Sequence, residues 1–355
     1  MNQTDTESTI SGIQKHKIER LQLENGAVLT DAITAYLTFG ELAPDGRNAI
    51  LVTHGYTSGP EMVLPGGTTA EGSWCELVGP GKPIDTRRFF VVCPNMLGSS
   101  FGSTNGLSIN PATGQSYGSR FPDLSLVDIV NAQRKLLEYL GVRHLVAVAG
   151  PSYGGFQAFQ WAVSHSDFVD GIVAVTCAPS CPGANTAGIV EQLAEDPNWH
   201  GGDYYGTAGV QATLERMRVR TLRNFGIDSV LADRFPDQRS RDAQIAHLAG
   251  AWARTFDANS MVILMRAAER FDVRADLAKI TARVLFVLSS TDQMFPPTIA
   301  PQIMNQLRDT GVRATYYEIA SRFGHFASGI DAAQWAPRLK AFIDELTCQP
   351  TPQPN

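Results

Sequence analysis

A serine flanked by glycines, at the junction of a strand pattern and a helix pattern, is the feature that most constrains this fold. The segment Gly150-Pro151-Ser152-Tyr153-Gly154-Gly155 follows the apolar run 144–149 and precedes a helical pattern at 156–165. Small residues permit a tight, strained turn that exposes the serine hydroxyl above the strand end. The alternative is an ordinary strand-to-helix turn with an incidental serine. The context predicts a nucleophile elbow at Ser152 in an α/β sheet domain.

A second match to the G-x-S-x-G pattern, 98–102 with Ser100 at its centre, has different surroundings. Pro94 and three further residues separate it from the preceding strand pattern, and a loop rich in Gly, Asn and Pro follows it. Because an elbow needs a helix directly after the serine, the sequence favours Ser152 over Ser100 as the nucleophile.

Further apolar runs are typical of strands buried on both faces of a parallel sheet. An alternating segment at 17–24, a turn at Asn25-Gly26 and a second strand near 31–39 precede them. The buried runs are 49–53, 89–93, 144–149, 171–175, 284–288 and 314–319, and the helical patterns are 124–140, 156–165, 300–308 and 332–346. Their alternation predicts a mostly parallel sheet flanked by helices.

Two regions interrupt this alternation. Residues 97–122 are rich in Gly, Ser, Asn and Pro, and so long a loop is usually functional or disordered. Residues 180–275 have helical stretches without a strong buried-strand run, so we interpret them as a helical cap inserted into the sheet domain. The predicted core domain therefore comprises 12–179 and 276–348. The polar or Pro-rich ends, 1–11 and 349–355, are predicted to be flexible.

A serine nucleophile needs a base and a carboxylate that orients the base. In elbow enzymes these follow in the order Ser, acid, His, each on a loop after a strand. Asp292 follows the run 284–288, and His325 follows the run 314–319. We predict that Ser152 attacks an acyl carbonyl, His325 takes its proton, and Asp292 orients the imidazole. Asp292 could instead cap its own loop.

The segment His54-Gly55-Tyr56 directly follows the strand pattern 49–53. A His-Gly pair at this place is typical of a loop that stabilises an oxyanion. We therefore expect the backbone N–H groups of Tyr56 and Tyr153 to form the oxyanion hole. The alternative for His54-Gly55 is a plain turn.

Longer phrases connect these residues to a known family. NAILVTHGYTSGP from residue 48, LVGPGKPIDT from 77 and SINPATG from 108 resemble homoserine O-acetyltransferases of the α/β-hydrolase superfamily. The resemblance runs from about residue 17 to about residue 346 and is strongest over 48–165. It implies an α/β-hydrolase fold with a helical cap over the active site, a homodimer formed through that cap, and an acyl-enzyme. It also assigns the triad to Ser152, Asp292 and His325.

The residue after the catalytic histidine departs from that family. Its members typically have an Asp there, in a G-H-D segment, which is assigned to the ammonium group of homoserine. Here Phe326 follows His325. A buried ammonium without a paired carboxylate is costly, and Phe326 would offer the substrate an apolar face with at best a weak cation–π attraction.

Two other departures concern the elbow and the cap. The family's elbow usually reads G-G-S-M-G-G, whereas Pro151 and Tyr153 stand here. In the region of the family's carboxylate-binding arginine, Arg216 is the first candidate for substrate binding. Arg218, Arg220 or Arg223 could take that role, or all four could be surface charges of the cap.

Without an ammonium site, water becomes the expected acyl acceptor. The first hypothesis is therefore a serine carboxylic-ester hydrolase that acts on small acyl esters, such as acetates of apolar alcohols. Phe156, Phe159, Met294 and Phe295 are candidates for the wall of an apolar pocket, or for core positions. The alternative is homoserine O-acetyltransferase or a related acetyl-CoA-dependent O-acyltransferase. A third hypothesis is a non-catalytic binding module on a hydrolase scaffold.

Composition excludes several partners. The net charge of −6 and the lack of clustered Lys and Arg argue against nucleic acid. No apolar run approaches the roughly 20 residues that span a bilayer, the first residues do not resemble a signal peptide, and the five cysteines fit reduced thiols. We expect a cytoplasmic protein with a small-molecule ester substrate. Cys177 and Cys181 lack a second Cys/His pair for zinc, and no dinucleotide-binding glycine pattern follows a strand, so we expect neither metal nor cofactor.

Overall fold

The computed structural model describes residues 12–67 and 73–348, so the predicted flexible termini lie outside the described residues. The strands are β1 (Gln14–Gln22), β2 (Val28–Phe39), β3 (Ala49–Val52), β4 (Phe90–Pro94), β5 (Ile109–Asn110), β6 (Gln115–Ser116), β7 (Leu145–Pro151), β8 (Val169–Val175), β9 (Arg283–Ser289) and β10 (Ala314–Ile319).

Within the described residues, eight of these strands form one sheet in the order β1-β2-β4-β3-β7-β8-β9-β10. The strands β1 and β2 form the predicted antiparallel hairpin, and Gly26 in its turn has a φ of 88°. From β4 to β10 along the sheet, every pairing is parallel. The predicted mostly parallel sheet is confirmed, and β5 and β6 form a separate small hairpin inside the long loop 97–122.

The helices are α1 (Leu126–Tyr139), α2 (Tyr153–Ser164), α3 (Thr186–Ala194), α4 (Gln211–Asn224), α5 (Ile227–Leu231), α6 (Gln238–Ala253), α7 (Ala258–Glu269), α8 (Ala300–Asp309), α9 (Ala327–Ile330) and α10 (Ala332–Thr347). Helix α1 begins at a capping box, in which Ser125 and Asp128 each bond the backbone N–H of the other. Helix α2 begins three residues before the predicted position, directly after Ser152.

Both faces of the sheet are covered, which explains the near-continuous apolar runs of its central strands. One apolar cluster contains Ile129 and Leu136 of α1 with Phe159 and Trp161 of α2. A second cluster contains Trp335, Leu339 and Phe342 of α10, and others of its members come from the central strands. Burial of this apolar area supplies the main favourable free energy of the fold.

Helices α3 to α7, which we call the inserted helices, lie between β8 and β9 in the chain. They have an apolar cluster of their own, which includes Trp199, Leu214 and Phe256, and Tyr56 of the sheet domain packs against it. The helical content expected for 180–275 is thus present, with an isolated bridge between Ser180 and Asp272. The boundaries of the cap as a domain stay a prediction. None of the helices in the described ranges has the length and apolar character that crossing a membrane requires.

Candidate active site

Ser152 lies between β7 and α2 in a strained backbone conformation. Its φ and ψ are 55° and −120°, a region that a non-glycine residue occupies only when its surroundings enforce it. The surroundings here are specific: the Ser152 N–H donates to the carbonyl of Val175, and the Ser152 carbonyl accepts from the N–H groups of Gly155 and Phe156. The turn places Ser152 at the N-terminal, electropositive end of α2.

The glycines around Ser152 are required by close packing. A Cβ atom at Gly154 would lie 2.3 Å from the backbone oxygen of Thr53, and one at Gly155 would lie 2.3 Å from the Sγ of Cys177. The elbow therefore packs closely against the residue after β3 on one side and the residues after β8 on the other. Larger side chains at these positions would displace the strands that hold the serine.

Asp292 and His325 follow β9 and β10, so they lie at the same edge of the parallel sheet as Ser152. The Nδ1 of His325 is 2.8 Å from the Oδ2 of Asp292. The other carboxylate oxygen accepts from the backbone N–H groups of Met294 and Phe295, at 2.9 and 3.3 Å. An ionised carboxylate only accepts hydrogen bonds, so Nδ1 carries the proton and Nε2 is the basic nitrogen of the imidazole.

The charge state of Asp292 follows from two opposing effects. Burial raises the pKa of this carboxyl, but His325 and the backbone N–H groups of Met294 and Phe295 outweigh burial and hold the pKa below its ordinary value of 3.8. Asp292 is therefore ionised at neutral pH. Burial, and after it the charge of the same carboxylate, raises the pKa of the Cys177 thiol well above its usual range, which keeps that cysteine protonated and unreactive.

Aromatic packing connects the Asp292–His325 pair to the elbow. The ring of Phe295 lies 6.1 Å from the imidazole of His325 and 5.8 Å from the ring of Phe156 on α2. Ser152 and Phe295 also line the same cavity. The structure thus brings the three predicted triad residues to one edge of the sheet, and their catalytic roles stay a prediction.

The two predicted oxyanion residues lie side by side. Tyr153 is the first residue of α2, where a backbone N–H has no acceptor within the helix. The rings of Tyr56 and Tyr153 stack with centroids 6.0 Å apart. Their hydroxyls donate to the carbonyls of Met261 and Leu264 on α7, at 2.6 and 3.0 Å. Both tyrosines therefore connect the sheet domain to helix α7 by hydrogen bonds.

His54 is a buried structural residue two positions before Tyr56. Its Nε2 accepts from the backbone N–H of Met96 at 3.1 Å, and its Nδ1 lies 2.9 Å from the carbonyl oxygen of Gly55. Burial lowers the pKa of His54 to about 4. A neutral imidazole with its proton on Nδ1 satisfies both contacts, so His54 holds the backbone of the predicted oxyanion loop.

Gln157, which the sequence pattern did not mark as a functional residue, joins that loop to the elbow. Its amide nitrogen donates to the carbonyls of His54 and Tyr153, at 3.1 and 3.3 Å. Its oxygen accepts from Gln133, whose own oxygen accepts from the indole N–H of Trp161. The available signal was a glutamine one turn after Tyr153 in a mostly apolar helix.

A cavity of about 490 Å³ opens beside Ser152. Its wall is mostly apolar, and the predicted wall residues Phe156, Met294 and Phe295 belong to it. Phe159 does not: it is fully buried in the core. The other lining residues are Tyr56, Tyr153, Ala178, Pro179, Ser180, Cys181, Pro182, Gly183, Ala184, Phe225, Met265, Ala268, Arg274, Ile299, Gln302, Ile303 and Gln306. Within the described part of the chain, no carboxylate lines this cavity.

Phe326 is not on the cavity wall. Its side chain is 1% exposed and packs with Leu222, Phe225 and Ile245 beneath the inserted helices. The structure therefore does not support the predicted contact between Phe326 and the substrate. Phe225, which lies between this cluster and His325 at a ring distance of 4.6 Å, reaches the cavity in its place.

The four candidate arginines of α4 have different surroundings. Arg216 donates to Thr213 and does not line the cavity, so the structure does not support its predicted substrate contact. Arg220 donates to Gln192, and Arg223 to Asp242.

Arg218 is the buried member of this group, at 3% exposure. It donates to the hydroxyl of Thr57 at 2.7 Å and lies 4.9 Å from the ring centroid of Trp252. Thr57 follows Tyr56 in the chain, so Arg218 reaches the predicted oxyanion loop from the inserted helices.

Ser100 has a structural partner. Its hydroxyl oxygen accepts from the backbone N–H of Asp257 at 2.9 Å, at the residue that caps α7. This contact supports Ser152 rather than Ser100 as the nucleophile. Among residues 12–67 and 73–348, no group of three or more His, Cys, Asp or Glu side chains could hold a metal ion.

Comparisons with known proteins agree with this architecture. Residues 48–330 match the family model of the alpha/beta hydrolase fold. The homoserine O-acetyltransferase of Moorella thermoacetica is 36% identical over 92% of this chain and 94% of its own length. The crystal structure of homoserine O-acetyltransferase from Bacillus anthracis superposes with a TM-score of 0.83 at 26% identity, over 94% of this chain and 97% of that one. Esterase E22 also superposes with a TM-score of 0.83, at 25% identity over 93% and 99% of the two chains.

Proposed function

This chain belongs to the homoserine O-acetyltransferase family of the α/β-hydrolase superfamily, and from that membership we propose that it transfers an acyl group through a covalent intermediate on Ser152. The observation that carries the proposal is the buried Asp292–His325 pair at the sheet edge where the strained Ser152 emerges. A nucleophile, a base and an orienting carboxylate are the groups that acyl transfer requires.

In the first half-reaction, His325 Nε2 takes the hydroxyl proton of Ser152 as the serine oxygen attacks the acyl carbonyl. The N–H groups of Tyr56 and Tyr153 stabilise the oxyanion that forms. The carbonyl then reforms, the bond to the leaving group breaks, and His325 gives its proton to that group. Asp292 stabilises the charged imidazolium between these transfers. The products are the acyl-serine and a free alcohol or thiol.

In the second half-reaction, an acceptor hydroxyl attacks the acyl-serine while His325 takes its proton. The bond between the acyl carbon and Ser152 Oγ then breaks, His325 returns the proton to Ser152, and the acylated acceptor leaves. The names of the curated relatives favour an alcohol as acceptor, which makes the enzyme an O-acyltransferase with an acyl thioester as donor. This preference differs from the hydrolase that the sequence analysis put first. The family model and the relatives support acyl transfer in general and support hydrolysis less than transfer to an alcohol.

Ester hydrolysis is the second candidate, and a specific observation favours it. The position after His325 holds Phe326, and no carboxylate among the described residues lines the cavity beside Ser152. The ammonium group of an amino-acid acceptor therefore lacks a charged partner at that wall. The structural likeness to esterase E22 is consistent with water as acceptor.

Acceptor competition tests the two candidates. The purified chain is incubated with acetyl-CoA or p-nitrophenyl acetate, with and without homoserine or a simple alcohol, and the products are identified by mass spectrometry. Transfer predicts an acetylated acceptor, whereas hydrolysis predicts free acetate alone. Ser152→Ala should abolish both reactions. Ser100→Ala is the matched control and should keep the acetyl group on the Ser152 peptide. Absence of any acyl-serine with either donor would overturn the proposal.

Dimerisation through the inserted helices is part of the same proposal, since it comes from the family resemblance. Sedimentation velocity of the purified chain tests it directly. A monomer at micromolar concentration would contradict it without affecting the proposed chemistry.

A further inference from the structure

The cavity beside Ser152 is much larger than an acetyl group requires. An acetyl group has three heavy atoms, far fewer than a drug-sized ligand. The cavity measures about 490 Å³, which lies within the range of sites that bury most of a drug-sized ligand. Most of this space is therefore available to another part of the substrate.

One face of α8 gives the cavity an elongated wall. Ile299, just before the helix, and Gln302, Ile303 and Gln306 within it all line the cavity. Their spacing of three, four and seven residues places them on one helix face, and it extends over roughly 10 Å at the rise of an α-helix. Ser152, Phe156 and Phe295 lie on the side of the cavity that belongs to the elbow and the loop of Asp292. A long, flexible group suits this shape.

The charges on the wall disfavour a charged group in the cavity. Among the described lining residues, Arg274 is the one with a permanent charge, and its Nε donates to the carboxylate of Asp272 at 2.9 Å. That ion pair offsets its charge. Phe225, Met265 and Ala268 contribute apolar surface from the inserted helices and from the residue after α4. An apolar group gains from burial here, whereas an ionised one loses hydration without a new partner.

We infer that the substrate of this enzyme carries an apolar chain longer than acetyl, which is bonded to the reacting carbonyl on its acyl or its alcohol side and occupies the cavity. The inference rests on the proposed function, because it requires that Ser152 is acylated. Burial of one methylene is worth about 0.8 kcal/mol, which corresponds to about a fourfold change per methylene.

Two ester series distinguish the acyl side from the alcohol side. In the first, p-nitrophenyl acetate, butyrate, hexanoate and octanoate vary the acyl group. In the second, acetates of ethanol, butanol, hexanol and octanol vary the alcohol. We expect kcat/KM to rise in one series by up to about fourfold per methylene until the cavity is filled. A flat or falling profile in both series overturns the inference.

A pair of methionine variants locates the effect. Met265 on α7 is half-buried and lines the cavity, whereas Met304 on α8 is half-buried and packs against the core without lining it. Met265→Glu should lower the ratio of kcat/KM for the preferred long ester to that for the acetate by at least tenfold. Met304→Glu should leave that ratio unchanged. Equal ratios in the two variants contradict the assignment to this cavity.

Ala184→Phe is the substitute variant if Met265→Glu does not fold. Ala184 is half-buried in the loop that lines the cavity, so a phenyl ring there occupies chain volume without adding charge. It should lower the same ratio. Detection of acylated Ser152 by mass spectrometry distinguishes failure of the proposed function from failure of this inference. No acylation by any ester refutes the proposed function, whereas acylation without chain-length preference refutes only this inference.

Discussion

The Nδ1 of His325 lies 2.8 Å from the Oδ2 of Asp292, and the two side chains are 0% and 1% exposed. Water does not compete for this contact, so the carboxylate fixes the imidazole tautomer that leaves Nε2 free of a proton. Asp292→Asn would present an amide N–H or a weaker acceptor to Nδ1 and would favour the opposite tautomer. We expect kcat to fall by roughly 10³- to 10⁴-fold with little change in KM, measured by steady-state hydrolysis of an activated ester.

The asparagine variant also separates catalysis from loop capping. Its side-chain oxygen can still accept from the N–H groups of Met294 and Phe295, which Asp292 now bonds. The loop should therefore keep its shape, and the Tm of the variant should change little although its kcat falls. Asp309→Asn, at an exposed aspartate that ends α8, is the control. Activity above one tenth of the wild-type value in Asp292→Asn would show that Asp292 only caps its loop.

Buried His54 should make stability depend on pH just below neutrality. Burial lowers the pKa of His54 from 6.5 to about 4 in the folded protein. Between these values the unfolded chain binds more protons than the folded one, so the free energy of unfolding falls as pH falls through the window. The full shift corresponds to about 3 kcal/mol, present above pH 6.5 and lost as pH approaches 4.

Urea denaturation at pH 7 and at pH 4.5 measures this dependence. His54→Gln removes the titrating group while its amide can still donate and accept, so the loss of stability between the two pH values should become smaller. His247→Gln changes an exposed histidine on α6 and should keep the wild-type loss. Identical pH dependence in His54→Gln and the wild type would contradict the assigned burial.

The sheet and the elbow were predictable from the sequence because their signals are local. Buried parallel strands need continuous apolar runs, and the predicted run 284–288 lies within β9, where every residue after Arg283 is buried. The last strand of the sheet, β10, has the predicted bounds 314–319, but only Ile319 in it is fully buried. The context of Ser152 combined a strand, small residues and a helix within a few positions. The start of α2 was placed too late because Gly154 and Gly155 have poor helix propensity, whereas the elbow geometry imposes the helix on them.

Most contacts of the inserted helices were not predictable, since they depend on how these helices lie on the sheet domain. The position of Phe326 after His325 predicts a substrate contact, yet tertiary packing buries its side chain against residues of α4 and α6. For α4 the spacing did hold a signal: Leu214, Met217, Arg218 and Leu222 share one buried face. Arg218 therefore stood in the apolar stripe, whereas Arg216 stood outside it.

Arg218 should matter more than Arg216 for both stability and rate. Arg218→Met removes a charge-assisted hydrogen bond to Thr57 and a contact with Trp252, so we expect about 2 kcal/mol of lost stability. Because Thr57 adjoins Tyr56, kcat should fall together with stability. Arg216→Met removes a half-buried bond to Thr213 within the same helix and should cost less than about 0.5 kcal/mol. Equal effects of the two variants in urea denaturation and ester turnover would contradict this ranking.

Gln157 acts as a positioning residue, because one amide group bonds the carbonyls of both predicted oxyanion segments. Gln157→Leu leaves these buried carbonyls and Gln133 without that partner, which should cost about 1–3 kcal/mol. A small displacement of either N–H donor weakens only the transition state, so kcat should fall by about tenfold to a hundredfold while KM changes little.

Gln160→Leu is the matched control for that variant, since Gln160 lies on the same helix but donates to the hydroxyl of Ser164, outside the predicted oxyanion segments. It should keep wild-type kcat, whatever stability it loses. If Gln157 had a purely structural role, Gln157→Leu would lower Tm without a selective loss of kcat. The two glutamine variants would then lose activity in proportion to the stability that each one loses. A loss of kcat confined to Gln157→Leu, at temperatures where both variants are fully folded, is the outcome that the shared amide contact requires.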